Sequence, residues 1–237
     1  MESRERDAGK NVDRDASGPT MVFWGAVILG VCVILCGFFY PYLAGRPEIE
    51  RHPEAPVTVR NIRMALQSYY NDYGHFPEIV KPLPNGKKMI CVGDPASKIS
   101  DGPNSLLLDV LRDIPRGPNA NHALNPKQQK YFEGRVAREP KTPRSGFADG
   151  TTFSAADQGC LFDPWGHQYC IVFSMDGSET LDLSAVYSDL AGPEHLIRSP
   201  VAAFSLGKDG IPGGKGYEGK FRKPSSSDAP DDIVSWQ

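Results

Sequence analysis

The stretch Val59–Pro77, VRNIRMALQSYYNDYGHFP, decides how the chain folds. Its apolar and aromatic residues recur at spacings of three and four, which places them on one face of a helix; they are Val59, Ile62, Leu66, Tyr69 and Tyr73. We expect this helix to begin near Pro56, because proline is tolerated in a first helical turn. Gly74 supplies a left-handed stop, and Pro77 prevents the helix from resuming. A helix with one apolar face must pack against another layer.

That second layer is predicted downstream as a small antiparallel sheet. Tyr169–Ser174, Leu181–Tyr187 and Val201–Leu206 are its candidate strands. Asp176-Gly177 lies between the first two and is typical of a hairpin turn. Upstream, Asp163-Pro164-Trp165-Gly166 has the residue types that a type I turn prefers. The predicted fold class is therefore α+β, with an amphipathic helix packed on a small antiparallel β-sheet and long loops.

The segment between the helix and the sheet predicts little regular structure. Asn104 is a candidate N-cap for a second, short helix that ends before Pro115; its apolar residues are Leu106, Leu107, Val110 and Leu111. Residues 116–158 are polar and contain prolines, so we expect a long irregular connection with one apolar contact near Tyr131 and Phe132.

Upstream of the helix, Met21–Tyr40 is a run of twenty residues without a charge. It matches the roughly 20 helical residues that cross a bilayer core and exceeds the about 7 to 15 of a cleaved signal. Basic residues are more frequent before this run than after it, which favours a cytoplasmic N-terminus. The predicted organisation is a disordered cytoplasmic leader over 1–20, a transmembrane helix over 21–45 and a head over 46–237 outside the inner membrane.

Composition limits the function. The chain has 237 residues and a formal net charge of -3, which is enough for one core and argues against a nucleic-acid partner. Hydrolase, metalloprotease and phosphate-loop motifs are absent from the sequence, so we do not expect an enzyme.

Cys160 and Cys170 bracket a turn and could form a disulfide in an oxidising compartment, or remain buried thiols beside Cys91. The sequence leaves both alternatives open.

The tail contains the residues best suited to bind a ligand. A glycine-rich loop begins at Ser205-Leu206-Gly207-Lys208-Asp209-Gly210 and runs to Pro230, and Asp231 and Asp232 follow it. Carboxylates at the two ends of one loop suit a hard cation such as calcium, which takes six to eight oxygen ligands. No EF-hand pattern is present, and spacing alone favours an ordinary turn followed by a solvated terminus.

In this order the elements resemble the major pseudopilin of type II secretion systems. The resemblance is carried by the apolar run that ends in Pro41–Gly45, by Tyr69-Tyr70 leading to Gly74-His75-Phe76-Pro77, and by Asp163–Tyr169, Phe204–Gly210 and Asp231–Trp236. It implies a pilin-like fold and a calcium site in the tail. The implied ligands are the side chains of Asp209, Asp231 and Asp232, with the carbonyls of Leu206, Lys208 and Ile211.

The resemblance also implies a function and a location. Proteins of this family are structural subunits of a short periplasmic filament that moves folded proteins toward an outer-membrane channel. For this chain it implies a single-pass protein of the bacterial inner membrane with a periplasmic head. The implied partners are further copies of the chain, other pseudopilins and inner-membrane assembly components.

The processing site departs from the family pattern. Counting back from Pro41, Pro19 stands where the family has the glycine before the prepilin-peptidase cut, and Thr20 stands where it has phenylalanine. Trp24 replaces the glutamate that is thought to pair with a neighbouring subunit's amino terminus. The alternative is therefore an uncleaved single-pass envelope protein whose calcium-stabilised, pilin-like head binds partners without polymerising.

Overall fold

Helix α1 (Glu54–Tyr73) is the first element of the computed structural model, which describes residues 52–80, 87–93, 100–190, 192, 196–213, 221 and 231–236. The predicted leader and transmembrane helix lie outside the described residues, as do Pro19, Thr20 and Trp24. Among the helices in the described ranges, none is both long enough and apolar enough to cross a membrane.

The structure confirms the helix that the apolar stripe predicts. It begins slightly earlier than expected, with Pro53 at the N-cap and Pro56 inside the first turn. It ends at Gly74, which has a φ of 73° and donates its N–H to the carbonyl of Tyr70 at 2.7 Å. The buried face contains Ala55, Val59, Ile62, Ala65, Leu66 and Tyr69. Tyr73 is only partly buried and packs against the edge of the core.

Two antiparallel sheets follow α1. The strands are β1 (Met89–Val92), β2 (Gly146–Phe147), β3 (Leu161–Phe162), β4 (Cys170–Ser174), β5 (Val201–Ser205) and β6 (Ile233–Val234). The larger sheet has the order β1-β4-β5-β6, and β2 pairs with β3. In the larger sheet Cys170 lies opposite Phe204, and Ser205 lies opposite Ile233. Helix α1 packs over β5 and β6, so the predicted α+β arrangement of a helix on a small antiparallel sheet is confirmed.

One predicted strand is wrong. Leu181–Tyr187 forms only a single bridge, from Leu181 to Ile197, and then turns toward a 3-10 helix at Ser188–Leu190. The N–H of Ser184 binds the Asp182 carboxylate at 2.8 Å, which favours a turn over a sheet ladder. Consequently Asp176-Gly177 does not close the expected hairpin; β4 pairs instead with β1 and β5.

The larger sheet is covered on both faces. Residues that alternate along β4 and β5 belong to two buried clusters, and Ile171, Phe173, Val201 and Ala203 share one of them with α1. The opposite face carries Cys170, Val172, Ala202 and Phe204, over which Leu181, Leu183, Tyr187 and Leu190 lie. The apolar residues of Leu181–Tyr187 therefore cover the sheet, although this segment is not one of its strands.

No disulfide joins Cys160 to Cys170 in the structure. Cys170 lies on the outer face of the larger sheet, whereas Cys160 belongs to a separate cluster with Ala148 and Phe162. Both thiols are buried, and so is Cys91. Of the two alternatives that the sequence leaves open, the structure has the buried thiols.

The connection over residues 116–158 is mainly irregular, as predicted, and polar contacts hold it on α1. It contains a 3-10 helix at Gly117–His122 and the short strand β2. The hydroxyl of Tyr69 donates to the carbonyl of Leu124 at 2.6 Å, and that of Tyr73 donates to Oδ1 of Asn125 at 2.9 Å. Phe132 is buried and Tyr131 packs beside it, in agreement with the expected apolar contact.

Asn104 links distant parts of the fold. It precedes helix α2 (Ser105–Leu111) as predicted, but its side chain does not cap that helix. Its amide Nδ2 donates to the carbonyls of Leu161 at 2.9 Å and Tyr169 at 3.0 Å, and its Oδ1 accepts the N–H of Leu161 at 3.0 Å. The fully buried Asn104 thus satisfies backbone groups where β3 leads into β4.

Replacing Asn104 by alanine tests this assignment. Asn104→Ala removes three hydrogen bonds to buried backbone groups, so we expect the free energy of unfolding to fall by about 2 to 4 kcal/mol. Urea denaturation followed by tryptophan fluorescence would measure the change. Asn71→Ala, at an exposed position of α1, is the matched control and should change stability by less than about 0.5 kcal/mol. Equal effects of the two substitutions would contradict the assignment.

Candidate cation site

The turn that leads into β4 is built around one buried carboxylate. Asp163 is fully buried, and its Oδ1 accepts the backbone N–H groups of Trp165 at 2.9 Å, Gly166 at 2.8 Å and His167 at 2.9 Å. The N–H of Gly166 also approaches the carbonyl of Asp163 at 3.3 Å. The predicted turn is confirmed, and its first residue holds it together with its side chain.

The same carboxylate reaches the start of the tail loop. Oδ2 of Asp163 accepts the hydroxyl of Ser205 at 2.6 Å, and Ser205 is fully buried at the end of β5. The hydroxyl oxygen of Ser205 in turn accepts the N–H of Gly207 at 3.1 Å. Burial raises the pKa of Asp163, and the Ser205 hydroxyl and backbone N–H donors oppose that shift.

Asp231 closes the tail loop. Its Oδ2 accepts the N–H of Lys208 at 2.8 Å and that of Asp209 at 3.4 Å. A side chain at position 207 would disturb this contact, because a Cβ there would lie 2.5 Å from Oδ2 of Asp231. Gly207 also has a φ of 68°, which L side chains rarely adopt. The two ends of the loop are therefore held together by a carboxylate packed on a glycine.

Asp232 lies deeper than its neighbour. Its Oδ2 accepts the hydroxyl of Tyr187 at 2.9 Å and the N–H of Gly213 at 2.7 Å. Its Oδ1 is buried and has no hydrogen-bond partner within the described part of the chain. Burial raises the pKa of Asp232 to about 6, and the negative charges of Asp231 and Asp209 add to that shift. The carboxylates of Asp231 and Asp209 therefore lie close enough to repel that of Asp232.

The remaining predicted ligands lie in the same loop. Asp209 accepts the N–H of Ile211 on its Oδ1 at 3.0 Å. Leu206 is buried beneath the loop, whereas Lys208 and Ile211 are exposed. In the ranges that the structure describes, no three acidic, histidine or cysteine side chains form a group that could hold a metal ion. Asp209, Asp231 and Asp232 thus lie near one another without forming such a group, and several of their oxygens accept backbone N–H groups.

The donor set fits a hard cation in its chemistry. The sequence supplies three carboxylates at the ends of one loop, and calcium prefers such oxygen ligands. The partnerless Oδ1 of Asp232 is the strongest sign, since a buried charged oxygen without a partner is costly. A bound calcium ion would neutralise the repulsion among the carboxylates. Asp209, Asp231 and Asp232 are the side chains that would hold it.

Four aromatic rings hold the middle of the loop. Tyr187 lies 5.9 Å from Phe204 and 5.5 Å from Phe221 between ring centroids, and Trp236 lies 5.7 Å from Phe221. The N–H of Phe221 donates to the Asp189 carboxylate at 2.7 Å. Sequence patterns do not indicate these contacts, because they predict a strand at Tyr187. Its ring lies instead against Phe221, and its hydroxyl donates to Asp232.

Comparisons with known proteins do not supply a family. No protein-family model matches the chain, and neither curated proteins nor solved structures yield a match.

The half-buried position of Asp232 predicts how stability depends on pH. Its pKa is 3.8 ordinarily and about 6 in the fold, so between these values the folded state keeps a proton that the unfolded state releases. In calcium-free buffer, stability should therefore fall as pH rises from 4 to 7, with Asp232 contributing up to about 3 kcal/mol. Asp232→Asn should remove this contribution. Thermal melts of wild type and variant at each pH would measure the difference.

The two proteins should have similar melting temperatures at pH 4, and the variant should melt higher at pH 7. Glu133→Gln, which neutralises an exposed carboxylate elsewhere, is the control and should follow the wild-type profile. A constant offset between wild type and Asp232→Asn at every pH would show that Asp232 is not the group responsible.

Proposed function

We propose that this chain is a structural, pseudopilin-like subunit of a type II secretion filament, or of a related type IV pilus-like filament. In that role it contributes to protein export across the outer membrane. The observation that carries the proposal is the tail loop between β5 and β6, whose carboxylates Asp209, Asp231 and Asp232 gather beside the sheet that α1 covers. A calcium ion held by these carboxylates would stabilise the loop and the last strand.

The exposed side of α1 supports self-association. Val57 is 53% exposed and Met64 is 57% exposed, although both are apolar. They are separated by seven residues, so they lie on the same side of the helix, away from the buried stripe. The apolar run Met21–Tyr40 precedes α1 in the sequence. We propose that this run spans the bacterial inner membrane and that apolar side chains of both segments contact neighbouring subunits.

The other proposed partners follow from the same role. A filament subunit needs contacts with other pseudopilins and with inner-membrane assembly components. The head would then lie in the periplasm, where calcium is accessible to the tail loop. The proposed function requires no chemical step on this protein.

A second candidate is an uncleaved single-pass envelope protein with the same calcium-stabilised head. It is favoured by Pro19, Thr20 and Trp24, which replace the residues that the family uses for processing and assembly. In that case the head would bind partners from the membrane surface without polymerising. The two candidates share the calcium site and differ in the fate of the N-terminus.

The calcium site predicts that stability depends on the cation. Saturating calcium, at about 100 times its dissociation constant, should stabilise the protein by about 2.7 kcal/mol at neutral pH. Asp232→Ala should abolish the calcium-dependent rise in melting temperature. Asp157→Ala, at a half-buried aspartate outside the tail, should preserve it. Identical wild-type melts with calcium and with a chelator would refute the proposed site.

The filament role predicts a processed N-terminus and extended self-association. Intact mass spectrometry of the protein from native membranes should give a mature chain that starts at Thr20. Lysine-directed crosslinking of the same membranes should give a ladder of oligomers beyond the dimer. An intact Met1 together with no ladder would contradict this role and favour the second candidate.

A further inference from the structure

The turn at Asp163–His167 contacts the tail loop at two places. Ser205 joins the Asp163 carboxylate to the N–H of Gly207, where the loop begins. At Gly210 the imidazole of His167 lies so close that a Cβ would collide with the ring. The turn is therefore a support against which the loop is built, although the turn itself contains none of the proposed ligands.

The Ser205 hydroxyl holds the loop in a fixed position relative to the turn, because both of its hydrogen bonds have defined directions. The hydroxyl has one hydrogen, and at 2.6 Å from Oδ2 of Asp163 it donates that hydrogen to the carboxylate. Its lone pairs are then directed elsewhere, and one of them accepts the N–H of Gly207 at 3.1 Å. Since Asp163 is itself held by three backbone N–H groups, the direction of this hydroxyl is fixed by the turn.

The position of Gly207 in turn determines where Asp231 lies. Oδ2 and the backbone carbonyl oxygen of Asp231 would be only 2.5 and 2.6 Å from a Cβ at position 207. The next two N–H groups, of Lys208 and Asp209, both approach the same Oδ2. A shift of the Gly207 peptide would therefore change the position of the Asp231 carboxylate.

We propose that Asp163 and Ser205 are positioning residues of the calcium loop, which hold Gly207 and Asp231 in place before the cation binds. This inference rests on the calcium site of the proposed function. Asp163 and Ser205 do not ligate the ion. They hold part of the loop in place, so the loop loses less conformational entropy when it binds the cation. A loop that is ordered in advance binds its ligand more tightly.

Ser205→Ala is the direct test, because it removes the link and leaves the three backbone donors on Asp163. Without this hydrogen bond the loop must be ordered when the cation binds, so we expect the calcium dissociation constant of the full-length protein in detergent to rise about tenfold or more. Ser205→Thr, which restores the hydroxyl, should recover most of the affinity. Isothermal titration with calcium chloride would measure both.

The matched control is Ser174→Ala. Ser174 is also a buried serine at the end of a strand of the larger sheet, but its hydroxyl binds Asp176, far along the chain from the tail. This variant should bind calcium with the wild-type dissociation constant. Equal losses of affinity in Ser174→Ala and Ser205→Ala would show a general effect of destabilising the sheet and would overturn the inference.

Hydrogen exchange without the cation separates this inference from the calcium site itself. In calcium-free buffer, the backbone amides of 207–211 should exchange faster in Ser205→Ala than in wild type, while those of α1 and β4 stay unchanged. Uniformly faster exchange across all three regions, or no change in the loop, would refute the positioning role. If wild type binds no calcium but the amides of 207–211 still exchange faster in Ser205→Ala, the calcium site is refuted. The hydrogen-bonded link from Asp163 through Ser205 to Gly207 is then supported.

Discussion

The contact between the apolar stripe of α1 and the inner face of the larger sheet supports the rest of the structure. Ile62 and Leu66 are fully buried in the cluster that contains Ile171 and Ala203. Complete burial of one such side chain contributes about 1.5 to 3 kcal/mol. This contact places β5 at the centre of the fold, between β4 and the short edge strand β6. Segments that pair with β5 or continue from it are therefore held in a fixed position.

The candidate cation site uses that fixed position. β5 ends in Ser205, from which the tail loop departs, and β6 begins just after the loop returns with Asp231 and Asp232. Core packing thus brings the two ends of the loop together. Phe204 of the larger sheet packs against Tyr187, whose hydroxyl binds Asp232. The half-buried carboxylate of Asp232 lowers stability at neutral pH. Under the proposed function, a bound calcium ion would offset that loss and would link the stability of the head to the presence of calcium.

Elements with a local signal could be predicted. The spacing of three and four along α1, the apolar runs that became β4 and β5, and the turn residues at Asp163 all depend on neighbours in sequence. Leu181–Tyr187 was predicted wrongly because its apolar residues are indeed buried, but they cover the sheet and do not join it. Strand β1 was not predicted, since its four residues show no alternation: three consecutive ones are buried. Asn104 stood at a cap position, yet its side chain bonds to backbone groups far along the chain.

By itself the sequence determined the amphipathic helix, the α+β class and the presence of three aspartates around one glycine-rich loop. Only the tertiary structure decided that Asp232 accepts the hydroxyl of Tyr187, that one of its oxygens has no partner within the described residues, and that Asp163 reaches Ser205. The physical reason is the range of the interactions. Helical periodicity is repeated within a few residues, whereas desolvation of a carboxylate depends on segments that only folding brings together.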